Sequence, residues 1–237
     1  MRLNTYAAAT HVLDKDVRDH TVLVVDTLRA TSTMITACSN GCREIIPASE
    51  VDEALQVART IGEHVLLGGE RDTYIVPGFD LSNSPLEYTK ETVKDKVLIM
   101  TTSNGTNAIN RMRSAKHLLI SALINDAASA REAVALGKNT TIVCAGTGGK
   151  ASWDDLITAG AIITRILSLG GEWELDDLAR MCKVIYEQHK DDIFGALKGT
   201  LHFEHLLQKG WEEDVRYCCQ SGIIDVVPRY TDGMITA

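Results

Sequence analysis

The sequence predicts a three-layer α/β/α fold with a mostly parallel or mixed sheet and a helical C-terminal part. Strand-like apolar runs alternate with helical patterns through about residue 170, which is typical of α/β proteins. Beyond residue 172 the pattern becomes mainly helical. Hydrophobic residues make up 45% of the 237 positions and aromatic residues only 5%, so the core must be aliphatic. We therefore expect a single domain over residues 1–237, in which residues 172–222 are a candidate helical subdomain.

The first half of the chain alternates short strands with helices and ends in a long loop. In chain order we expect a strand over residues 22–25, a helix over 31–40, a strand over 44–47, a helix over 49–61, a strand over 64–71 and a loop over 72–86. Ser49 is the expected cap of its helix, and Asp52 and Glu53 favour the positive end of the helix dipole. The loop contains Pro77-Gly78 and Pro85, and its length suggests a function beyond connection.

The second half continues this alternation before the helical region begins. We expect strands over residues 96–100, 117–121, 140–145 and 223–227. We expect helices starting near residues 104–106, at 126 or 127 and at 154, followed by helices over 175–188, 192–208 and 212–220. Gly137 is the expected end of the helix that starts at 126 or 127.

Charge and composition exclude several classes of protein. The net charge of −8 argues against a nucleic-acid partner, because phosphate backbones select for basic surfaces. No segment approaches the about 18 consecutive apolar residues of a membrane span, and residues 1–4 open no signal peptide. The six cysteines match neither a zinc nor a thioredoxin spacing, so we expect reduced, structural thiols. A cytoplasmic protein that contacts no membrane is expected.

The turn after the first predicted strand combines a carboxylate, an arginine and three hydroxyl groups. The apolar run over residues 22–25 ends at Asp26, and Arg29 follows it. The hydroxyl residues at the helix start are Thr31, Ser32 and Thr33. Free N–H groups at a helix start bind anions, so this turn has the chemistry of an anion site with a metal ligand or nucleophile beside it. For this turn alone, an ordinary strand–helix connection with capping side chains is the alternative.

Four predicted strand ends share this chemistry. They are residues 26–33, 68–72, 101–107 and 146–155, each of which combines small or hydroxyl residues with charge or amide groups. If the strands are parallel neighbours, all four turns converge on one crevice beyond the carboxyl ends of the strands. Asn104, Gly105 and Thr106 would let backbone N–H groups approach an oxyanion closely, with a plain helix cap as the alternative.

Carboxylates at these strand ends suggest a metal site. Asp26, Glu70 and one of Asp154 or Asp155 would place hard oxygen donors on one face, which suits Mg²⁺. Acidic residues at a helix start also favour the dipole, so capping is the alternative for residues 154 and 155. His202 and His205 are three positions apart on a predicted helix and could bind metal, but a surface or interface position is favoured.

Several known site types are excluded by single residues. A Walker phosphate loop would need glycine at position 144 and Ser or Thr at 151, where Cys144 and Ala151 stand. A phosphatase of the haloacid dehalogenase type would have a second Asp two positions after Asp26, where Leu28 stands. No dinucleotide fingerprint and no Gly-x-Ser-x-Gly elbow occur.

Four stretches together resemble one known family. Residues 25–33, residues 69–71 with 78–85, residues 101–106 and residues 144–160 are similar, in order and spacing, to the 2-phosphosulfolactate phosphatase family of coenzyme M biosynthesis. The resemblance implies a Mg²⁺-dependent phosphatase that hydrolyses (2R)-phospho-3-sulfolactate to (2R)-3-sulfolactate and phosphate. The partner would thus be a small anionic phosphate ester with phosphate, carboxylate and sulfonate groups.

The resemblance and the residues together define the expected site. The expected catalytic residues are Asp26, Arg29, Glu70 and Asp155, and the expected metal ligands are Asp26, Glu70, Asp154 and Asp155. The expected anion-binding residues are Arg29, Thr31, Ser32, Thr33, Arg71, Asn83, Ser84, Thr102, Asn104, Gly105, Thr106 and Gly146. A carboxylate not used by the metal would orient the attacking water or form a phosphoryl-enzyme, and the sequence does not choose between these routes.

Two other functions are compatible with the same residues. A nucleotide- or phosphosugar-using transferase would retain a nucleotide tightly, and a non-catalytic sensor of a small anion would bind its ligand without turnover. The oligomeric state is open. For a homo-oligomer, Cys218-Cys219 and the helix with His202 and His205 are candidates for the subunit interface.

Overall fold

The computed structural model describes residues 1–62 and 65–237, so position 64 of the expected strand lies outside the described residues. The strands are β1 (Arg2–Tyr6), β2 (Thr21–Val25), β3 (Glu44–Pro47), β4 (Val65–Arg71), β5 (Tyr74–Ile75), β6 (Val97–Thr101), β7 (His117–Ser121), β8 (Thr140–Cys144), β9 (Glu174–Leu175), β10 (Arg229–Thr231) and β11 (Met234–Thr236). The helices are α1 (Ala30–Ser39), α2 (Val51–Ile61), α3 (Lys90–Val93), α4 (Gly105–Arg111), α5 (Asp126–Leu136), α6 (Trp153–Ser168), α7 (Asp177–His189), α8 (Ile193–Ala196), α9 (Leu201–Gln208) and α10 (Glu212–Cys218).

These strands form a mixed sheet in the order β5-β4-β6-β3-β11-β10-β7-β2-β8-β1-β9. One parallel group contains β4, β6 and β3, and the other contains β7, β2, β8, β1 and β9. The C-terminal hairpin β10–β11 lies between them and pairs antiparallel with β7 and with β3. The four predicted strand ends are therefore neighbours only in pairs, β2 beside β8 and β4 beside β6.

Helices cover both faces of the sheet, which confirms the three-layer α/β/α prediction. The alternation of side chains along β2 shows this directly. Val22 and Val24 pack into a buried cluster with side chains of α1 and α4. Leu23 and Val25 pack into a second cluster, on the opposite face, with side chains of α5, α6 and α7. All of these strand residues are fully buried, as the continuous apolar run predicts.

The C-terminal helices pack against the α/β core through a cluster of their own. Phe203 and Leu206 of α9 and Val215 of α10 contact Ile157 of α6 and Leu28, which follows β2. This packing places α9 and α10 over the carboxyl end of β2, where the candidate site lies.

No helix in the described residues has both the length and the apolar character needed to cross a membrane.

Several elements differ from the sequence predictions. The prediction of a strand over 223–227 is wrong. Ile224 donates its N–H to the carbonyl of Ile124, and the Val226 carbonyl accepts from Asn125, so this segment forms hydrogen bonds with the turn before α5 and not with a neighbouring strand. The helix expected over 192–208 is divided into α8 and α9, with Gly199 at φ +81° between them. A left-handed glycine ends a helix readily, which explains the division.

Three further differences concern the start of α2, the loop over 72–86 and the C-terminal hairpin. Glu50, not Ser49, precedes the first turn of α2, while the N–H of Ser49 donates to Glu53. The loop expected over 72–86 contains the short strand β5 and a 3₁₀ turn. The hairpin β10–β11 was not predicted, although Asp232 (φ +51°) and Gly233 (φ +90°) form the Asp-Gly turn that hairpins favour.

Candidate active site

Side chains from all four predicted strand ends meet at one cavity of about 420 Å³. Its lining residues are Asp26, Leu28, Arg29, Glu70, Asp72, Thr73, Asn83, Thr102, Ser103, Asn104, Thr147, Gly148, His202, His205 and Leu206. The two parallel groups of the sheet come together here because the start of α4 lies against the end of β2. A Cβ on Gly105 would lie 2.6 Å from Asp26 Oδ2 and 2.5 Å from Ala30 Cβ, so only glycine permits this approach.

Asp26 is a buried carboxyl group on the cavity wall. It follows the fully buried strand β2 and is 8% exposed. The Thr31 hydroxyl accepts from the Asp26 N–H at 2.9 Å and donates to its carbonyl at 2.9 Å, which fixes the backbone of the turn. Burial raises the pKa of the Asp26 carboxyl to about 7, the nearby carboxylates of Asp154 and Glu70 add to this, and His202 opposes it. The site thus concentrates negative charge where solvent cannot disperse it.

Glu70, at the end of β4, is the second carboxylate of the cavity. It is 7% exposed and accepts hydrogen bonds from the N–H groups of Ser103 at 2.8 Å and Thr73 at 2.9 Å. These bonds join the β4–β5 turn to the turn after β6. Glu70 is therefore held rigidly by two loops while its side chain still borders the cavity.

Asp154 and Asp155 lie behind the turn after β2 rather than on the cavity wall. Asp155 accepts from the N–H of Thr27 at 2.9 Å and of Gly146 at 3.0 Å. Asp154 accepts from the N–H of Leu28 at 3.2 Å and from the Ser152 hydroxyl at 2.5 Å. Burial, followed by the charges of Asp154 and Asp26, raises the pKa of Asp155 well above its usual range.

Arg29 lies on the cavity wall and is paired with an acidic residue from the C-terminal helices. Its Nη1 donates to Asp214 Oδ2 at 2.5 Å, and its Nη2 donates to the carbonyl of Thr73 at 3.2 Å. Both side chains of the ion pair are almost fully buried, at 1% and 4% exposed. Asp214 also accepts from the Ser84 hydroxyl at 2.7 Å, and the guanidinium stacks on Trp211 at 4.4 Å. Arg29 is consequently fixed on three sides.

Two histidines of α9 close the cavity from above. His202 Nε2 donates to the carbonyl of Leu28 at 2.6 Å, and His205 lies 3.4 Å from Asp72 Oδ1. A surface or interface position was expected for both residues, whereas both line the cavity. The helical segment is therefore part of the candidate site.

Amide and hydroxyl groups form the remaining wall. Asn104 Oδ1 accepts from the N–H of Gly148 at 3.3 Å, which joins the turn after β6 to the turn after β8. Thr102 and Thr106 exchange hydrogen bonds between hydroxyl and N–H groups at 3.0 and 3.1 Å. These bonds hold the polar turns in place around the carboxylates.

The structure brings six of the sixteen expected site residues to the cavity. Those that line it are Asp26, Arg29, Glu70, Asn83, Thr102 and Asn104. Those that do not are Thr31, Ser32, Thr33, Arg71, Ser84, Gly105, Thr106, Gly146, Asp154 and Asp155. Arg71 donates instead to the carbonyls of Glu70 and Ser49 and to the Thr101 hydroxyl. Ser32 and Thr33 donate to the carbonyls of Thr27 and Asn83, so their hydroxyls brace loops.

Sequence reasoning missed the contributions of the C-terminal helices. Asp214, Trp211 and Leu206 belong to a region whose amphipathic pattern indicated only helices. The single signal was the His202/His205 pair on one predicted helix. Thr73 was also missed, because it lies in a two-residue turn where Asp72 and Thr73 have φ values of +52° and +69°.

The carboxylates define what the site could hold. Within residues 1–62 and 65–237, no group of three or more His, Cys, Asp or Glu side chains is arranged to bind a metal by itself. Asp26 and Glu70 nevertheless border one cavity, and Mg²⁺ is often bound by one or two carboxylates with water and substrate oxygens. The wall thus combines a carboxylate pair with a fixed guanidinium, which suits a small substrate with more than one anionic group.

Comparison with known proteins gives matches over nearly the whole chain. The family model described as 2-phosphosulpholactate phosphatase matches residues 7–233, which include every residue that lines the cavity. A probable 2-phosphosulfolactate phosphatase of Caldanaerobacter subterraneus subsp. tengcongensis is 41% identical over 236 residues, covering 99% of this chain and 98% of that protein. Proteins of the same name from Clostridium novyi and Clostridium botulinum (strain Eklund 17B / Type B) are 40% and 42% identical, over 100% and 97% of each chain.

Proposed function

Because the chain belongs to the 2-phosphosulfolactate phosphatase family, we propose that it is a Mg²⁺-dependent phosphatase acting on (2R)-phospho-3-sulfolactate. The products are (2R)-3-sulfolactate and inorganic phosphate. The bond between phosphorus and the ester oxygen breaks, water supplies the new oxygen on phosphorus, and the released alkoxide takes up a proton. Membership in this family makes the protein a phosphoric monoester hydrolase.

One observation carries the proposal beyond the family match. Asp26 is a buried carboxyl group whose pKa is raised to about 7, and it borders the same cavity as Glu70 and Arg29. Strongly perturbed titratable groups in a cleft are typical of catalytic sites. Asp155, by contrast, does not line the cavity, and both of its oxygens accept from backbone N–H groups.

The two carboxylate residues of the cavity wall fit a Mg²⁺ ion. Asp26 and Glu70 supply hard oxygen donors, and the charge that they concentrate gives a divalent cation a favourable position. When bound, Mg²⁺ would polarise the phosphoryl group and neutralise its oxygens. Asp26 and Glu70 are the proposed ligands, whereas Asp154 and Asp155 are proposed to position the turn that carries Asp26.

The other cavity residues bind the substrate and exclude water. Arg29 keeps N–H donors that neither Asp214 nor Thr73 uses, and a guanidinium binds oxyanions well. Thr102 and Asn104 add polar groups next to the carboxylates. His202 and Leu206 cover the cavity, which keeps bulk water away from the reacting group.

The test is phosphate release from a panel of small phosphate monoesters, measured with Mg²⁺ and with EDTA. The panel includes phosphosulfolactate and phospholactate, which differ by the sulfonate. The proposal expects Mg²⁺-dependent release with a preference for phosphosulfolactate. Release from no substrate would reject the enzyme, release in EDTA would reject the metal, and release without preference would reject the substrate.

We also propose a cytoplasmic location without a nucleic-acid partner. The six free cysteines and the net charge of −8 support this. Cell fractionation with an antibody against the protein tests the location. Light scattering of the purified protein determines its oligomeric state.

A further inference from the structure

One corner of the cavity contains polar atoms that the protein leaves without partners. Thr73 Oγ1 and Asn83 Oδ1 have no hydrogen-bond partner, and their residues are only 8% and 4% exposed. Both residues line the cavity. A buried polar atom without a partner destabilises the protein, so such atoms in a cavity wall indicate a polar ligand.

Arg29 lies at the same corner and is oriented by the protein. Its Nη2 contacts the carbonyl of Thr73, and its Nη1 contacts Asp214. A guanidinium has five N–H donors, so the remaining donors are available in a fixed plane. Trp211 covers one face of this plane, and Arg29 lines the cavity.

This corner lies next to the proposed metal end, and hydrogen bonds of Glu70 and Thr73 connect the two. Glu70 contacts Ser103 on one side and Thr73 on the other, and Thr73 contacts Arg29. The metal end contains Asp26 and Glu70, whereas the carboxylate at the corner, Asp214, is already paired with Arg29. A phosphoryl group belongs beside the metal ligands, and a second anion belongs at the corner.

The chemistry of the corner matches a sulfonate. In phosphosulfolactate only the ester oxygen and two carbons lie between phosphorus and sulfur, so the two subsites must be neighbours. A sulfonate spreads one charge over three oxygens and can accept from several directions. Arg29, Thr73 and Asn83 approach from three chain segments. Because a sulfonate only accepts hydrogen bonds, Thr73 would donate through Oγ1, and Asn83 would donate through Nδ2 after a 180° rotation of its amide exchanges Nδ2 with Oδ1. A weakly hydrated guanidinium is a suitable partner for such a diffuse anion.

We propose that Arg29, Thr73 and Asn83 form the subsite that binds the sulfonate of the substrate, with Asp214 as the positioning residue of Arg29. This inference rests on the proposed function, because it assigns one end of that substrate. It makes Thr73 and Asn83 specificity-determining residues.

The test compares two substrates in two variants. In Thr73→Val the hydroxyl is removed with little change of shape, and in Asn83→Ala the amide is removed. For each protein, kcat/KM is measured for phosphosulfolactate and for phospholactate. The ratio of the two values should fall by about tenfold or more in each variant, as expected for a lost hydrogen bond to a charged group. Two independent variants keep the test valid if one of them folds poorly.

Tyr74→Phe is the matched control. It also removes a hydroxyl, from the neighbouring residue, whose side chain is half exposed and whose hydroxyl accepts from Lys209 outside the cavity. Its substrate ratio should equal that of the wild type. An unchanged ratio in both Thr73→Val and Asn83→Ala would overturn the sulfonate subsite. This includes the case in which kcat/KM falls equally for both substrates, because the corner would then bind the carboxylate that the two substrates share. Failure of the wild type to release phosphate from either substrate would instead reject the proposed function itself.

Discussion

Two pairs of carboxylates lie around the turn after β2, and they differ in whether they line the cavity. Asp154 and Asp155 accept from three backbone N–H groups and one hydroxyl, which ties them to the turns after β2 and β8. Asp26 and Glu70 border the cavity, and Glu70 joins two loops while doing so. Glu70 accepts from two backbone N–H groups, as Asp155 does, so a place on the cavity wall, and not the number of backbone donors, distinguishes a carboxylate that faces the substrate from one that only supports the turn.

This comparison also explains why all four residues looked alike in the sequence. Each stands at a strand end or helix start beside small polar residues. Whether a carboxylate borders the cavity depends on which loops the fold places beside it. We therefore expect Asp26 to respond differently from Asp154 and Asp155 to the same Asp→Asn substitution.

Asp26→Asn should have the largest effect, a loss of turnover of at least about 10³-fold. The amide has the shape of the carboxyl group and fits against Gly105, but it lacks the charge that a metal ligand or catalytic carboxylate needs. Phosphate release at saturating substrate measures this, with circular dichroism as the control for folding. Near-normal activity would remove Asp26 from the mechanism.

The same variant should be more stable than the wild type in EDTA at alkaline pH. The pKa of Asp26 is about 7 in the folded protein and near 3.8 in the unfolded chain. A raised folded-state pKa favours the native state below the unfolded value, and this advantage is lost as the pH rises towards 7. The difference in the free energy of unfolding between the variant and the wild type should thus grow from pH 4 to pH 8, by an amount on the order of a few kcal/mol. Urea unfolding at both pH values measures it, and a gap independent of pH would contradict the account.

Asp214→Asn should destabilise the protein by about 3 kcal/mol, because it leaves the buried charge of Arg29 without its partner. The bond from Ser84 can still form, so the effect reports on the ion pair. Urea unfolding measures the loss. Added sulfolactate should restore part of the lost stability in this variant by supplying an anion to Arg29. Equal stabilisation of wild type and variant by sulfolactate would show that the anion does not replace the missing charge.

The smallest expected effects concern the supporting pair. Asp155 accepts from two backbone N–H groups, so Asp155→Asn places an N–H against an N–H and should cost about 1–3 kcal/mol. Asp154→Asn is the matched control: the Ser152 hydroxyl can reverse and accept, which leaves both bonds intact. Its cost should be below about 1 kcal/mol, with activity retained. Loss of activity in Asp154→Asn with normal folding would make Asp154 a metal ligand.

Local patterns were sufficient to predict most of the fold. Buried runs such as residues 117–121 and helix boundaries such as Asp126 and Gly137 follow from apolar periodicity and turn chemistry. The hairpin between the two parallel groups was not predicted, because its pairing with β3 and β7 joins distant segments. The segment 223–227 has the apolar composition of a strand, but its hydrogen bonds go to a turn.

The sequence predicted those site residues that lie at or just after the carboxyl end of a strand. Asp26, Glu70, Asn104 and Arg29 follow that rule and reach the cavity. The spacing of His202 and His205 gave a signal for the helical wall, but the contributions of Asp214 and Thr73 were not predictable, because they depend on tertiary packing of the C-terminal helices and on one tight turn.

The comparison of the two carboxylate pairs is tested most directly by calorimetric titration of Mg²⁺ into the wild type, Asp26→Asn and Asp154→Asn, with inorganic phosphate present. The account predicts similar affinity in the wild type and Asp154→Asn, and an affinity at least about tenfold weaker in Asp26→Asn. Unchanged binding in Asp26→Asn together with weakened binding in Asp154→Asn would contradict it, because the metal would then be held by the pair that supports the turn.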